Sequence, residues 1–356
     1  MKIVFLGLSI TSSWGNGHAT NYRALVRALA EQGHAVLFLE RDVPWYAAQR
    51  DLPVPPWGRT ALYCSVEDLR EEFGEEIRAA DLVVVGSYVP EGVAVAEWVL
   101  DTATGAVAFW DIDTPVTVAK LEAGDAEYLS RELVPRFDLY LSFTGGALLE
   151  RIRTEFGAKR PRPFYCMADG TVYRPLEEDE RWLLGYLGTY SAGRQPVLES
   201  LLLEPACRLP DRQFVVAGPQ YPAELAWPDN VERIEHLEPG KHPAFYARQR
   251  FTLNLTRPEM VRAGWSPSVR LFEAAACGVP AISDWWEGLD TFFKPGSEIL
   301  VAESGAEVAR ILREVSYSEA RELGAAARRR VLAEHTPERR AKELEAHVAT
   351  LTTVAA

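Results

Sequence analysis

The stretch PSVRLFEAAACGVPAISDWWEGL, Pro267–Leu289, sets a helix directly before a strand. Val269, Leu271, Phe272, Ala275 and Ala276 recur at helical spacing; Ser266 or Ser268 is available as a cap, and Pro267 is acceptable in the first turn. The apolar run VPAISD that follows reads as a strand, and DWWEG lies just beyond its carboxyl end. One carboxylate, Glu273, stands inside the otherwise apolar helix. A buried carboxylate is costly unless it is paired or hydrogen-bonded, so Glu273 predicts a partner.

The same alternation runs outward along the chain. KIVFLGL, NYRALVRALAEQ, AVLFLE, DLVVVGS, GVAVAEWVLDTA, AVAFWD, FDLYLSF and ALLERIRTEF alternate strand-length apolar runs with helix-period segments, which predicts α/β structure built on parallel sheet. The pattern restarts after the polar stretch ADGTVYRPLEEDERW, Ala168–Trp182. A chain of 356 residues exceeds the size at which one hydrophobic core usually stops growing. Two Rossmann-like, doubly wound domains are therefore expected, 1–170 and 183–335, joined by a linker at 171–182 and followed by a closing helix within 336–356. In open parallel sheets ligands sit outside the carboxyl ends of the strands, so the loops after the strands are where chemistry is sought.

Acidic side chains outnumber basic ones, 51 to 38, giving a formal net charge of −13. That balance disfavours bulk attraction to nucleic acid or anionic membrane and predicts a small-molecule partner. The opening MKIVFLGLSI is too short to span a bilayer and reads as a first buried strand, with a cytoplasmic location expected. Cys64, Cys166, Cys207 and Cys277 lie far apart and are expected to be core thiols.

Four loops carry unusual residues. After the first strand, Gly15 and Gly17 precede an amphipathic helix that opens at His18, where a neutral imidazole would serve as general base on a substrate hydroxyl or simply bond the loop. A dinucleotide fingerprint would need a third glycine where Thr20 stands; with Glu40 or Asp42 as the ribose acid, an NAD-dependent oxidoreductase is the alternative reading. AVAFWDIDTPVT ends a strand with Asp111 and Asp113, readable as a divalent-metal pair or as a positioning or base carboxylate plus a turn residue; the metal-free reading is preferred. Trp14, Trp45, Tyr46 and Trp110 suit stacking on a sugar or simple loop packing, and Asn16 and Gly17 join them on the acceptor side.

In the second half, GYLGTYSAGRQ ends a strand in Gly188, Thr189, Tyr190 and Ser191, with Arg194 one turn on, a loop whose N–H groups and hydroxyls would reach a phosphate. Ser268 begins the helix of the opening stretch, Arg270 is placed to meet a diphosphate with its forked guanidinium, and Glu273 is placed to accept two ribose hydroxyls. Glu287 is expected to touch sugar hydroxyls. No metal or other cofactor is expected.

GYLGTYS, AGPQYP and GWSPSVRLFEAAACGVPAISDWWEGLDTFFKPGSEI, Gly264–Ile299, together with GHATNYRALVRALAEQGH, resemble the GT-B glycosyltransferases, and among them the CgeB-like, spore-coat-protein type. The resemblance implies a carboxyl-terminal domain that holds a nucleotide sugar, an amino-terminal domain that holds the acceptor, and reaction in the cleft between them. It also implies that Glu273 bonds the donor ribose while Arg270 and the Gly188–Ser191 loop hold the diphosphate. Better-known retaining members carry a Glu eight positions before the ribose Glu; Trp265 stands there instead. A non-catalytic nucleotide-sugar-binding protein of the same shape is a further alternative.

Overall fold

The computed structural model describes residues 1–352, and these form two compact units. The first comprises Met1–Cys166 and the segment beginning at Pro337; the second comprises Met167–Thr336.

The first unit is built on a seven-stranded parallel sheet: β1 (Lys2–Gly7), β2 (Ala35–Arg41), β3 (Arg59–Tyr63), β4 (Leu82–Gly86), β5 (Ala106–Asp111), β6 (Leu139–Ser142) and β7 (Pro161–Pro163), in the order β3-β2-β1-β4-β5-β6-β7. LVVVG in β4 is buried at every residue, as a strand covered on both faces requires. The strand order reverses between β1 and β4, which brings the loop after β1 beside Tyr88. The last helix, Pro337–Thr352, packs on the His18–Glu31 helix, burying Ala341, Leu344 and Val348. Arg27 pairs with Glu338 at 3.1 Å, and His34 Nε2 lies 2.6 Å from Glu345. Residues 353–356 of the expected closing helix lie outside the described residues.

The second unit repeats the plan with six parallel strands: β8 (Trp182–Leu187), β9 (Phe214–Ala217), β10 (Val231–Ile234), β11 (Gln249–Asn254), β12 (Ala281–Ser283) and β13 (Leu300–Val301), in the order β10-β9-β8-β11-β12-β13. Its switch point falls between β8 and β11, so the Gly188 loop and the residues after Asn254 emerge side by side.

The stretch 171–182, expected as a linker, belongs to this unit. Tyr173 is buried, its N–H bonds Asp169 O at 2.7 Å, and Glu178 and Glu180 pair with Arg248 and Arg250 ahead of and within β11. Two of the expected core thiols, Cys64 and Cys207, are exposed, while Cys166 and Cys277 are buried; none of the four is in a disulfide. Among the described residues no helix is long and apolar enough to cross a membrane.

Candidate functional site

At the switch point of the second unit the backbone is packed too closely for side chains. A Cβ on Gly188 would sit 2.6 Å from Tyr186 Oη and 2.8 Å from Arg270 Nη2, and one on Gly218, at φ +141°, would sit 2.1 Å from Gly188 O. Arg194 donates from Nη2 to Thr189 O at 2.8 Å, tying its guanidinium to the loop. Three buried polar atoms are left without hydrogen-bond partners here: Tyr186 Oη, Arg194 Nε and Gln195 Oε1. All three residues line one small pocket, together with Thr189, Ser191, Leu198 and Tyr221. Each such orphan costs about 1–3 kcal/mol unless water or a ligand partners it.

Arg270 enters from the other side. Its Nε donates to Leu187 O, its Nη1 reaches Asn254 Oδ1 and Ser268 Oγ at 3.4 Å each, and its guanidinium lies 4.8 Å over the Tyr186 ring. Burial, followed by the positive charges of Arg270 and Arg257, pushes the Arg194 pKa down against the favourable influence of Tyr186. Arg194 thus lies within electrostatic range of two like charges, Arg270 and Arg257.

Glu273 lies one turn along the Val269–Ala276 helix and is only 4 % exposed. Ser268 occupies the N-cap position, but its side chain makes no cap bond, contrary to the expected capping; its hydroxyl serves Arg270 instead. Burial raises the Glu273 carboxyl to about 7, against the depressing influence of the Tyr173 hydroxyl, the Arg270 charge and the Tyr246 hydroxyl. Tyr246 Oη acts without meeting hydrogen-bond geometry.

His242 Nδ1 stands 3.9 Å from Glu273 Oε2, but burial pushes this histidine down to about 4, so at neutral pH it is uncharged and the pair is not an ion pair. With Nε2 donating to Leu237 O at 3.3 Å, Nδ1 is left as an acceptor, facing the Tyr173 hydroxyl at 3.5 Å. Two acceptors side by side call for hydroxyl donors or a proton between them.

The raised pKa has a sign that can be tested. The folded state keeps a proton on Glu273 that the unfolded chain loses near 4.5, so this contribution to stability is complete below that pH and is lost as pH rises through about 7. Glu273→Gln is expected to abolish that slope, worth up to roughly 3 kcal/mol, in urea midpoints measured between pH 5 and 8.

In the first unit the loop after β1 is organised by two residues expected to face ligand. Asn16 is 3 % exposed; its Nδ2 donates to Ser9 O and Ser12 O, and its Oδ1 accepts the His18 N–H at 3.1 Å. It holds the helix entrance and has no free end for an acceptor. Glu40, the candidate ribose acid of the dinucleotide reading, is fully buried and accepts from Ile10 N, Thr11 N, Ser9 Oγ and Thr11 Oγ1 at 2.6–3.0 Å. An internal carboxylate thus occupies the donors that a cofactor would need. Gly15, Gly17 and Trp14 remain exposed, as does Trp45 at 59 %, whereas Tyr46 is buried and unavailable for stacking.

His18 is half-buried and its ring stacks on Tyr88 at 5.9 Å. Tyr88 has φ +65°, a strained conformation for an aromatic residue, and donates to Asp113 Oδ2 at 3.0 Å. Asp113 sits at the N-cap position of Thr114–Ala123 without a side-chain cap bond. Asp111 has no exposed surface: Oδ1 accepts from Thr117 at 2.7 Å and Oδ2 from Tyr140 at 2.5 Å, and burial lifts it to about 6. The expected base at Asp111 is therefore an internal tie at the end of β5, while His18 has a partly open ring. Among the described residues no group of three His, Cys, Asp or Glu side chains is placed to hold a metal ion.

The DWWEG loop divides its residues. Trp286 is buried, Trp285 is 44 % exposed, and Glu287 is exposed with its carbonyl accepting the Trp265 N–H at 2.6 Å. Trp265 itself, at φ +41°, lies against Gly288, where a Cβ would come within 2.6 Å of its ring. Sequence reasoning missed Tyr173, Tyr186, His242 and Tyr246, whose side chains surround Arg270 and Glu273. Tyr186, His242 and Tyr246 each lie in or beside an apolar run of the second half, whereas Tyr173 lies in the polar stretch read as a linker.

Residues 194–346 match the family model described as glycosyl transferase-like. No curated protein matches the chain in sequence. Among solved structures, an alpha-glucosyltransferase in complex with UDP superposes with a TM-score of 0.75 at 12 % identity, over 98 % of this chain and 100 % of that one. HepE of Anabaena in complex with UDP-glucose gives 0.71 at 13 %, over 99 % and 100 %. Sucrose-phosphate synthase of Thermosynechococcus elongatus gives 0.68 at 15 %, over 99 % and 100 %. The fold is GT-B.

Proposed function

We propose that this chain is a metal-independent glycosyltransferase, of the CgeB-like type, which moves a hexosyl or related sugar from a uridine diphosphate donor to a hydroxyl or amine of a small molecule or glycan. The observation that carries the reading is the pocket of the second unit beside the Gly188–Ser191 loop, where Arg194 and three unpartnered polar atoms converge, with Arg270 against the same loop through Leu187 O and the Tyr186 ring. A diphosphate supplies acceptor oxygens to the Tyr186 hydroxyl and the Arg194 Nε–H, while Gln195 Oε1, itself an acceptor, is left for a hydroxyl donor of the ligand. Glu273 and His242 Nδ1, two acceptors 3.9 Å apart, suit the two hydroxyls of a ribose. The UDP and UDP-glucose complexes of the structural neighbours favour uridine over other bases.

In this mechanism charge develops on the β-phosphate as the sugar departs. Arg270 and Arg194 face that charge from fixed positions in a buried site, so little reorganisation is needed during the reaction. On the acceptor side, the His18 imidazole takes the proton of the attacking hydroxyl, with Tyr88 stacked behind it and held by Asp113.

The test is calorimetric titration of UDP, GDP, ADP and NAD into the wild type and Glu273→Ala. UDP is expected to bind the wild type and to lose affinity by roughly tenfold or more in the variant, as when hydrogen bonds to a charged acceptor are removed. Binding should also tighten as pH rises towards 7, because the diol needs the ionised carboxylate. Binding of NAD alone would overturn the proposal.

A further inference from the structure

The second unit has another pocket, of about 420 Å³, whose walls differ in chemistry from the phosphate pocket. Pro196, Val197 and Leu201 supply one apolar wall, and Ala302 supplies part of the other. Ser200, Asp284, Trp285 and Glu303 complete it. Gln195 and Leu198 face the phosphate pocket, so the two pockets lie on adjoining faces of one helical segment.

That segment is irregular at this point. Glu199–Leu203 forms a π-helical turn in which the Glu204 N–H reaches back five residues to Glu199 O. The cause lies just beyond, at Pro205, whose ring would clash with the carbonyl of Leu201 in a regular α-helix. Such turns occur frequently at functional sites, and this one sets Ser200 and Leu201 into the pocket wall. The opposite helix is pinned close by: a Cβ on Gly305 would fall 2.5 Å from Ser200 O.

The lining specifies its ligand by charge and shape. Among the described residues no Lys, Arg or His lines the pocket, while two carboxylates do, so a phosphate or other anion is disfavoured. Thr256 ties the Asp284 carboxylate, its hydroxyl reaching Oδ1 at 2.9 Å and its N–H reaching Oδ1 at 3.1 Å and Oδ2 at 3.2 Å, which fixes the group in place with Oδ2 the less engaged acceptor. The Glu303 side chain is exposed and, among the described residues, makes no ion pair, leaving its carboxylate open to hydroxyl donors. Trp285 presents a large ring at 44 % exposure, beside Trp286, which is anchored in the core. An aromatic face with carboxylate acceptors around it is the chemistry that holds a neutral sugar ring, whose C–H face stacks while its hydroxyls donate.

We propose that this pocket is a carbohydrate subsite for an uncharged sugar, separate from the nucleotide pocket, with Trp285 as its stacking platform and Asp284 and Glu303 as hydroxyl acceptors. The inference rests on the second unit alone and does not require the transfer reaction.

The experiment is ligand-observed NMR with glucose, galactose and N-acetylglucosamine as probes, run on the full chain with and without saturating UDP. At least one sugar is expected to bind in both conditions. Trp285→Ala should weaken that binding by roughly tenfold or more, and Glu303→Gln should weaken it less, with the circular dichroism melt unchanged in both variants. Absence of binding by all three sugars, displacement of the sugar by UDP, or unchanged sugar binding in a folded Trp285→Ala variant would each overturn the proposal. Sugar binding that depends on Trp285 in a protein with no affinity for UDP would leave this subsite standing while removing the donor reading.

Discussion

Arg270→Ala is expected to weaken UDP binding by roughly 10- to 150-fold, the equivalent of one charge-assisted hydrogen bond of about 1.5–3 kcal/mol. The loss has three sources in the structure. The guanidinium leaves the Gly188 loop, the Tyr186 ring loses the cation above it, and Glu273 loses the positive charge that helps keep its carboxyl from rising further. Arg270→Lys separates these effects. It retains the charge but forfeits the planar fork that bonds Leu187 O and Asn254 while stacking on Tyr186, so an intermediate loss is expected. Calorimetry at two ionic strengths, beside thermal melts to confirm folding, checks both variants. An alanine variant that binds UDP as tightly as the wild type would remove Arg270 from the donor site.

The second large effect belongs to His18. If its imidazole accepts the proton of the acceptor hydroxyl, His18→Ala should lower kcat by roughly 10²- to 10⁴-fold while leaving the dissociation constant for UDP unchanged, because the two sites lie on different units. The variant should also lose the fall in rate on the acid side that a general-base imidazole imposes. Asp111→Asn is the contrasting control. That carboxyl is fully buried between Tyr140 and Thr117, so its replacement is expected to lower the melting temperature without selectively lowering kcat. A selective kcat defect in Asp111→Asn with full activity in His18→Ala would reverse the assignment.

The two sheets were legible in the sequence because strands covered on both faces must be written as unbroken apolar runs, and KIVFLGL, DLVVVGS and AVAFWD are such runs. The loop Gly188–Ser191 was legible as the glycine-bearing end of the apolar run GYLGT, and a Cβ at position 188 would crowd the Tyr186 hydroxyl and the Arg270 guanidinium. The internal ties were not legible. Glu40 and Asn16 are polar residues in loop positions where a ligand contact is the natural expectation, yet the loop's own N–H groups, hydroxyls and carbonyls consume them. Residue type and position do not reveal whether a donor is already satisfied from within the fold. Tyr173 was hidden differently, inside a polar, proline-bearing stretch that reads as connection, because a single buried ring leaves no periodic signature.

The return of the chain to the first unit at Pro337 bears on how the protein is made. The contacts of Arg27 with Glu338 and of His34 with Glu345 each span 311 positions, and the whole second unit lies between them in sequence. On a translating ribosome, residues 167–336 are available to fold as a unit before the helix that covers His18–Glu31 has been synthesised. Until then the apolar surface that receives Ala341, Leu344 and Val348 is bare, so the first unit is the last to be completed although its strands emerge first.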